Sequence, residues 1–354
     1  MLKEKKAAVI VLTPAAKKLA LKLKEEYQVL DIYLPSKLNS ESDNYFSFNS
    51  LSSLVGRIFK EYDALIFIMA LGIVVRIIAP LLESKKSDPA VLTIDDTAQN
   101  VISTLSGHLG GANQLTAELA EFLEASPVIT TATDCNNKLA VDLLAQRLNC
   151  EIKPFERLKK ANGALLFGRE LHIYSDYKIK LEKDDSLKKY SLNQLSELSR
   201  SRAFEVIISN HKFNLRENQL QLIPRNIVIG IGCRKNKTAA EIEAALGSLL
   251  ADFNLLPESI KKVATIDLKK EENGILKLAA ANNWPLEIVA REKIQKVEAD
   301  LDIKKSDFVK KITGVAAAAS PAAILASAPG KLIIDKRKYS GITLSVVEEE
   351  MRDE

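Results

Sequence analysis

The chain has 354 residues, of which 47% are hydrophobic and 27% charged, a composition typical of a globular protein with two or three domains. The formal net charge is only +4 and no basic run is interleaved with aromatic residues, so neither feature indicates a nucleic-acid partner. Cys135, Cys150 and Cys233 form no Cys-x-x-Cys pair, which argues against disulfides and thiolate metal sites and favours a cytoplasmic location.

The first 150 residues alternate short β-branched runs with helical patterns, which is typical of a parallel α/β sheet. Strands are predicted at 9–12, 29–33, 64–69, 91–94, 101–104 and 128–131, and helices at 14–26, 51–61, 113–123 and 138–148. The polar turn between Asp95 and Asn100 is predicted to close a hairpin. The apolar segment 64–82 is interrupted by a glycine, an arginine and a proline, so we expect no membrane association.

Residues 151–225 differ in character, because short apolar runs are separated there by charged and serine-rich stretches. These runs predict a small mixed or β-rich module.

Residues 226–354 return to the α/β pattern, with Thr238 and Glu241 at the spacing of a capping box. Ser320 is predicted to cap an alanine-rich helix, and the segments 331–335 and 342–347 to form a closing hairpin. We therefore predict the α/β fold class with domains 1–150, 151–225 and 226–354.

The most informative motif is a glycine-rich turn leading into a predicted helix, Ser103-Thr-Leu-Ser-Gly107-His108-Leu-Gly110-Gly111-Ala112-Asn113. Glycines let backbone N–H groups approach a ligand, and the first N–H groups of a helix have no intrahelical partner. Such a turn can therefore hold a carboxylate or an oxyanion. An unperturbed imidazole titrates near neutral pH, so a histidine such as His108 suits the role of a general base. A histidine that packs or caps is the structural alternative.

Other motifs follow one another in a fixed order along the chain. They are Gly72-Ile-Val-Val-Arg76, Asp88-Pro-Ala-Val-Leu-Thr-Ile-Asp95-Asp96, Pro127-Val-Ile-Thr-Thr-Ala-Thr-Asp134, Ile229-Gly230-Ile-Gly232-Cys233-Arg234, Ala264-Thr-Ile-Asp267 and the segment 331–338. With the glycine turn, this series resembles the cobalt-precorrin-5A hydrolases of cobalamin biosynthesis, the CbiG family. The resemblance covers most of the chain outside 151–225. It departs at Ser320, where similar proteins have an acidic residue, which puts a catalytic carboxylate there in doubt.

The resemblance implies an enzyme that opens the δ-lactone of a cobalt-bound, polycarboxylated tetrapyrrole with water. The former meso carbon and its methyl group then leave as acetaldehyde, giving cobalt-precorrin-5B. The cobalt arrives in the substrate, so no cofactor is expected. The histidines, His108, His172 and His211, are scattered, and no metal site is expected in the protein itself.

Lactone opening needs a base that activates water, donors for the oxyanion and groups that hold the carboxylate arms. The catalytic candidates are His108, Asp95 and Asp96. The two aspartates would orient His108 or share proton transfer. The alternative is that both aspartates are simple turn residues. The substrate-binding candidates lie in predicted turns or at element ends: Arg76, Gly107, Gly110, Gly111, Asn113, Thr131, Asp134, Gly230, Gly232, Arg234 and Lys235. The backbone N–H groups of Gly110, Gly111 and Ala112 are expected to hold the oxyanion. Arg76 either pairs with a substrate carboxylate or extends into solvent.

The Gly230-x-Gly232 turn has Lys235 where a dinucleotide fingerprint has its third glycine. This disfavours a nucleotide-dependent oxidoreductase and favours a basic cradle for propionates.

The main alternative to a hydrolase is a non-catalytic carrier of corrin intermediates, which needs a pocket but no general base. A homodimer and transient contact with neighbouring corrin-pathway enzymes stay open, and no nucleic-acid or membrane partner is expected. Both glycine turns are expected to face one crevice.

Overall fold

Three β-sheets with packed helices account for the regular structure in a computed structural model of the chain. The structure describes residues 1–38, 45–85, 87–132, 138–181, 186–195, 203–297, 317–351 and 353. The contacts divide the chain into two compact units, Met1–Leu143 and Leu144–Glu354. The first unit contains a seven-stranded sheet, and the second contains two five-stranded sheets. The predicted α/β class is confirmed.

The sheet of the first unit is parallel except at one hairpin. Its strands are β1 (Ala7–Val11), β2 (Leu30–Pro35), β3 (Phe46–Phe48), β4 (Ala64–Ile68), β5 (Ala90–Ile94), β6 (Asn100–Leu105) and β7 (Ser126–Val128). They lie in the order β3-β2-β1-β4-β5-β6-β7, with β6 antiparallel to β5 and parallel to β7. Every residue of β1, β4 and β5 is buried, as expected for strands covered on both faces. The predicted hairpin is confirmed.

Helices cover both faces of this sheet, so that it has two cores. They are α1 (Pro14–Glu26), α2 (Leu51–Ile58), α3 (Leu71–Ile78) and α4 (Ala112–Leu123). The next helix, α5 (Val141–Arg147), begins in the first unit and ends in the second. The first core includes apolar residues of α1 and α4, and the second includes those of α2 and α3. The segment 64–82 is thus a buried strand followed by a short helix. Among the described helices, none has both the length and the apolar character to cross a membrane.

The two ends of β6 lie at opposite edges of the sheet. We call the edge at which β1, β4 and β5 end the carboxyl edge, and the edge at which they begin the amino edge. Because β6 runs antiparallel to β5, the turn before β6 lies at the carboxyl edge and the turn after it at the amino edge. Six residues of β6 separate the two turns by roughly 20 Å at about 3.3 Å per residue. The candidates Asp95 and His108 therefore lie at opposite edges.

The second unit contains the predicted middle module and the second α/β region. The middle sheet has the order β10-β9-β11-β12-β8, and it consists of β8 (Cys150–Lys153), β9 (Leu171–Tyr174), β10 (Leu187–Tyr190), β11 (Phe204–Ile208) and β12 (Gln219–Pro224), with one helix, α6 (Leu158–Leu166). It joins the last sheet through Glu348, whose carboxylate accepts hydrogen bonds from Tyr177 and Asn210, each at 2.8 Å. The two regions therefore belong to one compact unit.

The last sheet has the order β15-β14-β13-β17-β16. Its elements are β13 (Ile227–Cys233), α7 (Ala239–Asp252), β14 (Ile260–Ile266), α8 (Asn273–Ala281), β15 (Leu286–Val289), α9 (Arg291–Val297), α10 (Ala319–Ala326), β16 (Gly330–Tyr339) and β17 (Ile342–Glu349). The predicted capping box is confirmed, because Thr238 accepts from the Glu241 N–H while Glu241 accepts from the Thr238 N–H. The predicted closing hairpin is confirmed as β16 and β17.

The prediction that Ser320 caps α10 is wrong. The helix begins at Ala319, so Ser320 lies inside its first turn and is 1% exposed. Its hydroxyl donates to Oδ1 of Asp335 at 2.5 Å and lies 2.7 Å from the hydroxyl of Ser345. The side chain therefore bonds to the sheet instead of to a helix N–H.

Gly230 allows α10 to pack directly on β13. A Cβ added at Gly230 would lie 2.0 Å from the backbone oxygen of Ala319, far inside van der Waals contact. We expect Gly230→Ala to lower the free energy of unfolding by about 1–3 kcal/mol, the usual cost of overpacking, in urea denaturation. Gly247→Ala is the matched control, because Gly247 is exposed on α7 and nothing there obstructs the added Cβ. This variant should raise the free energy of unfolding slightly, since alanine favours a helix more than glycine does. Equal stability of both variants would contradict the close packing.

Candidate functional site

The glycine turn lies at the amino edge of the first sheet and closes on itself. The N–H of Gly111 donates to the backbone oxygen of His108 at 2.8 Å, and that of Ala112 donates to the oxygen of Ser106 at 3.1 Å. Gly111 has a φ of +84°, a left-handed conformation that favours glycine. Two of the three predicted oxyanion donors are thus engaged within the turn. Among the described residues, none accepts from the N–H of Gly110.

Asn113 links this turn to the neighbouring elements. Its side-chain oxygen accepts from the hydroxyl of Ser103 at 2.6 Å, and its Nδ2 donates to the hydroxyl of Thr131 at 3.0 Å. A Cβ on Gly107 would lie 2.6 Å from the same side-chain oxygen. The structure therefore brings Gly107, Asn113 and Thr131 together, but with the amide bonded to protein. The predicted ligand Asp134 lies outside the described residues.

His108 is paired with a carboxylate that was not among the candidates predicted from the sequence. Its Nδ1 lies 3.0 Å from Oδ2 and 3.1 Å from Oδ1 of Asp142, the second residue of α5. The two side chains are 9% and 10% exposed. A carboxylate at Nδ1 favours the tautomer that carries its proton there, so that Nε2 is the basic nitrogen. This is the geometry of a general base with its orienting carboxylate.

Asp95 instead organises the turn before β6. Its carboxylate accepts from the backbone N–H groups of Thr97, Gln99 and Asn100 at 2.7–3.3 Å and from the Thr97 hydroxyl at 2.5 Å. Burial raises the pKa of Asp95, but these hydrogen bonds outweigh burial and lower it to about 2. The expectation that Asp95 or Asp96 orients His108 is corrected by the structure, which places Asp142 against that histidine.

The lowered pKa of Asp95 makes stability depend on pH. The bonded carboxylate contributes stability above its unfolded pKa, and this contribution is lost as the pH falls toward the folded value of about 2. We expect Asp95→Ala to lower the free energy of unfolding at pH 7 by about 1 kcal/mol. In denaturant titrations the difference in free energy of unfolding between wild type and variant should narrow between about pH 4 and pH 2. A difference that stays constant over that range would contradict an ionised Asp95 carboxylate that is hydrogen-bonded in the turn.

A cavity of about 470 Å³ lies at the carboxyl edge of the first sheet. The helices that follow β1 and β4 there pack on opposite faces of the sheet. Its wall is mainly apolar but includes Thr13, Asp95 and Asp96, and Asp96 accepts from the Thr13 hydroxyl at 2.8 Å.

Arg76 is exposed on α3 and donates to the backbone oxygen of Gly72 at 3.2 Å. The alternative that Arg76 extends into solvent therefore fits its exposed position.

A cavity of about 820 Å³ lies in the second unit, at the carboxyl end of β13. Its wall is formed by Gly232, Cys233, Arg234, Lys235, Ile266, Lys269, Ala317, Ala318, Ala319, Ser320, Lys336, Lys338, Tyr339, Gly341, Ile342 and Thr343. The predicted Gly232, Arg234 and Lys235 are thus brought to one cavity, whereas Gly230 is buried under α10. Burial raises the pKa of the Cys233 thiol, which disfavours it as a thiolate nucleophile.

Comparison with known proteins gives matches along the whole chain. The cobalamin synthesis G N-terminal family matches residues 53–134, the cobalamin biosynthesis central region matches 139–224, and the cobalamin synthesis G C-terminus matches 227–347. The cobalt-precorrin-5A hydrolase of Priestia megaterium is 33% identical, over 96% of this chain and 94% of its own length. That of Salmonella typhimurium is 34% identical, over 97% and 98%.

Among solved structures, a cobalamin biosynthesis protein G homologue from Sulfolobus solfataricus is 25% identical, covers 99% of both chains and has a TM-score of 0.40. The three family matches follow one another in order and together span well over half of the 354 residues. The two hydrolases exceed 30% identity over nearly their full length. The chain therefore belongs to the CbiG family of cobalamin biosynthesis proteins.

Proposed function

We propose that the chain is a cobalt-precorrin-5A hydrolase in which His108, oriented by Asp142, activates the water that opens the lactone. The observation that carries this assignment of the base is the carboxylate of Asp142 at 3.0–3.1 Å from Nδ1 of His108. The reaction itself is the one for which the relatives are named. A histidine held in this way by a carboxylate is poised to accept a proton at Nε2.

In the proposed step, Nε2 of His108 takes a proton from water while the water oxygen bonds to the lactone carbonyl carbon. The negative charge of Asp142 stabilises the imidazolium that results, and the N–H of Gly110, from which no described residue accepts, donates to the oxyanion. The ester C–O bond then breaks, and His108 returns the proton to the departing oxygen. The products of this step are a free acetate arm and a hydroxyl on the former meso carbon, which afterwards leaves with its methyl group as acetaldehyde.

The experiment is anaerobic incubation of the purified chain with cobalt-precorrin-5A, with acetaldehyde trapped as its hydrazone. We expect one acetaldehyde for each macrocycle converted. A chain that binds the macrocycle tightly and releases no acetaldehyde would instead be the non-catalytic carrier.

We further propose that the protein holds no catalytic metal of its own and that it works in the cytoplasm. Among the described residues, no group of three or more histidine, cysteine or acidic side chains is placed to hold a metal ion. Cys150 and Cys233 are free thiols, which suits a reducing compartment. Acetaldehyde release should therefore survive prior treatment of the protein with a strong chelator. Loss of release, with recovery on adding zinc or iron, would contradict this proposal.

A further inference from the structure

We propose that the 820 Å³ cavity of the second unit, here called the cationic cavity, binds the carboxylate arms of the tetrapyrrole, and that Lys336 and Lys338 are carboxylate-binding residues there. This inference rests on the proposed function and identifies the part of the chain that recognises its substrate. Neither lysine stands out in the sequence, because both lie in a strand that is basic over several residues.

The charges on the cavity wall are all of one sign. Among the described residues that line it, none is acidic and five are cationic: Arg234, Lys235, Lys269, Lys336 and Lys338. Their combined formal charge exceeds the +4 of the entire chain. A concave wall focuses such a field, so the cavity attracts polyanions.

Part of this charge forms no ion pair within the part of the chain that the structure describes. Among the described residues, no carboxylate forms an ion pair with Arg234, Lys235 or Lys338, while Lys269 pairs with Glu272 at 2.9 Å. Burial, and then the neighbouring charge of Lys338, lower the pKa of Lys336. Like charges held together in this way repel one another until an anion neutralises them. A ligand with several carboxylates would supply that compensation.

The backbone of β16 is distorted at Lys336, two residues before Lys338. The pairing with β17 contains an irregularity between Ile334 and Arg337, and Lys336 has a φ of +51°. A residue other than glycine rarely adopts this left-handed conformation. Bulges of this kind commonly redirect a side chain beside a functional site. Here Lys336 and Lys338 both line the cavity.

The other side chains suit a flat macrocycle. Ile266, Ile342 and the alanines at 317–319 provide an apolar wall beside the cations. A volume of about 820 Å³ lies near the upper end of ordinary ligand cavities, roughly 300–1,000 Å³, and is larger than a single small anion needs. An apolar ring with acidic arms at its rim therefore matches both the walls and the charges.

Uroporphyrin, a flat tetrapyrrole with eight carboxylates, is a practical probe for this site. We would titrate it into the full-length chain and follow its fluorescence at low ionic strength. Lys336→Ala and Lys338→Ala should each weaken binding about tenfold, the loss expected for one charge-assisted contact. Lys331→Ala is the matched control, because Lys331 is exposed on the same strand and outside the cavity. Binding by the wild type should weaken in 0.5 M salt.

Circular dichroism and thermal melting would establish that each variant is folded. Unchanged uroporphyrin affinity in the folded Lys336→Ala/Lys338→Ala variant would overturn the inference, as would the absence of binding by the wild type. Acetaldehyde release by the wild type tests the proposed function separately. A chain that hydrolyses the lactone but binds uroporphyrin without these lysines would refute the cationic cavity alone. A chain that binds through the lysines but releases no acetaldehyde would refute the hydrolase and support the cavity.

Discussion

Replacing His108 by alanine should reduce acetaldehyde release from cobalt-precorrin-5A by roughly two to four orders of magnitude, the usual range for a lost general acid or base. The reason is that His108, with the carboxylate of Asp142 3.0 Å from its Nδ1, is the group proposed to take the proton of the attacking water. Binding of the macrocycle should stay within about twofold of wild type, because His108 acts on the transition state more than on the bound substrate. The measurement is single-turnover release together with a separate binding titration.

His211→Ala is the control for this variant, since His211 is exposed and lies in the other unit. It should keep wild-type turnover. If His108→Ala also keeps near wild-type turnover, His108 is a structural residue that holds α5 to the glycine turn. The base would then be sought first at Asp95, Asp96 or Asp134.

Replacing Asp142 by asparagine should also lower kcat by roughly two to four orders of magnitude. Asparagine keeps the size of the side chain but removes the charge that stabilises the imidazolium, and its amide can hold the ring in the wrong tautomer. KM for the macrocycle should change little, because Asp142 acts through His108 and is largely buried. Asp142→Glu should recover part of the activity by restoring the charge.

Glu121→Gln removes a carboxylate from the exposed side of α4 and is the matched control. It should leave kcat and KM unchanged. A merely structural Asp142 would give a different result, in which the variant loses thermal stability while the folded fraction retains full kcat.

The elements of the fold were largely predictable, because burial on both faces leaves continuous apolar runs in β1, β4 and β5. The turn residues between Asp95 and Asn100 likewise predicted the hairpin. The position of the glycine turn did not follow from the same patterns. It depends on the direction of β6 in the sheet, which carries His108 to the edge opposite Asp95.

The partner of His108 was not predictable either. Asp142 is one of many acidic residues near the start of a helix, and such residues are common because they stabilise the helix end. Only the packing of α5 brings it to a histidine 34 positions earlier. Lys336 shows the same limit, since neither its bulge nor its cavity has a signature in a lysine-rich strand. That the two glycine turns face one crevice stays a prediction.

The most direct test of the central claim is a double-mutant cycle in single-turnover acetaldehyde release, using wild type, His108→Ala, Asp142→Asn and the double variant. Groups that act as one catalytic unit are strongly non-additive. If Asp142 works by orienting His108, the double variant should release acetaldehyde about as fast as His108→Ala alone. If the two losses multiply instead, the residues act independently and the proposed dyad is wrong.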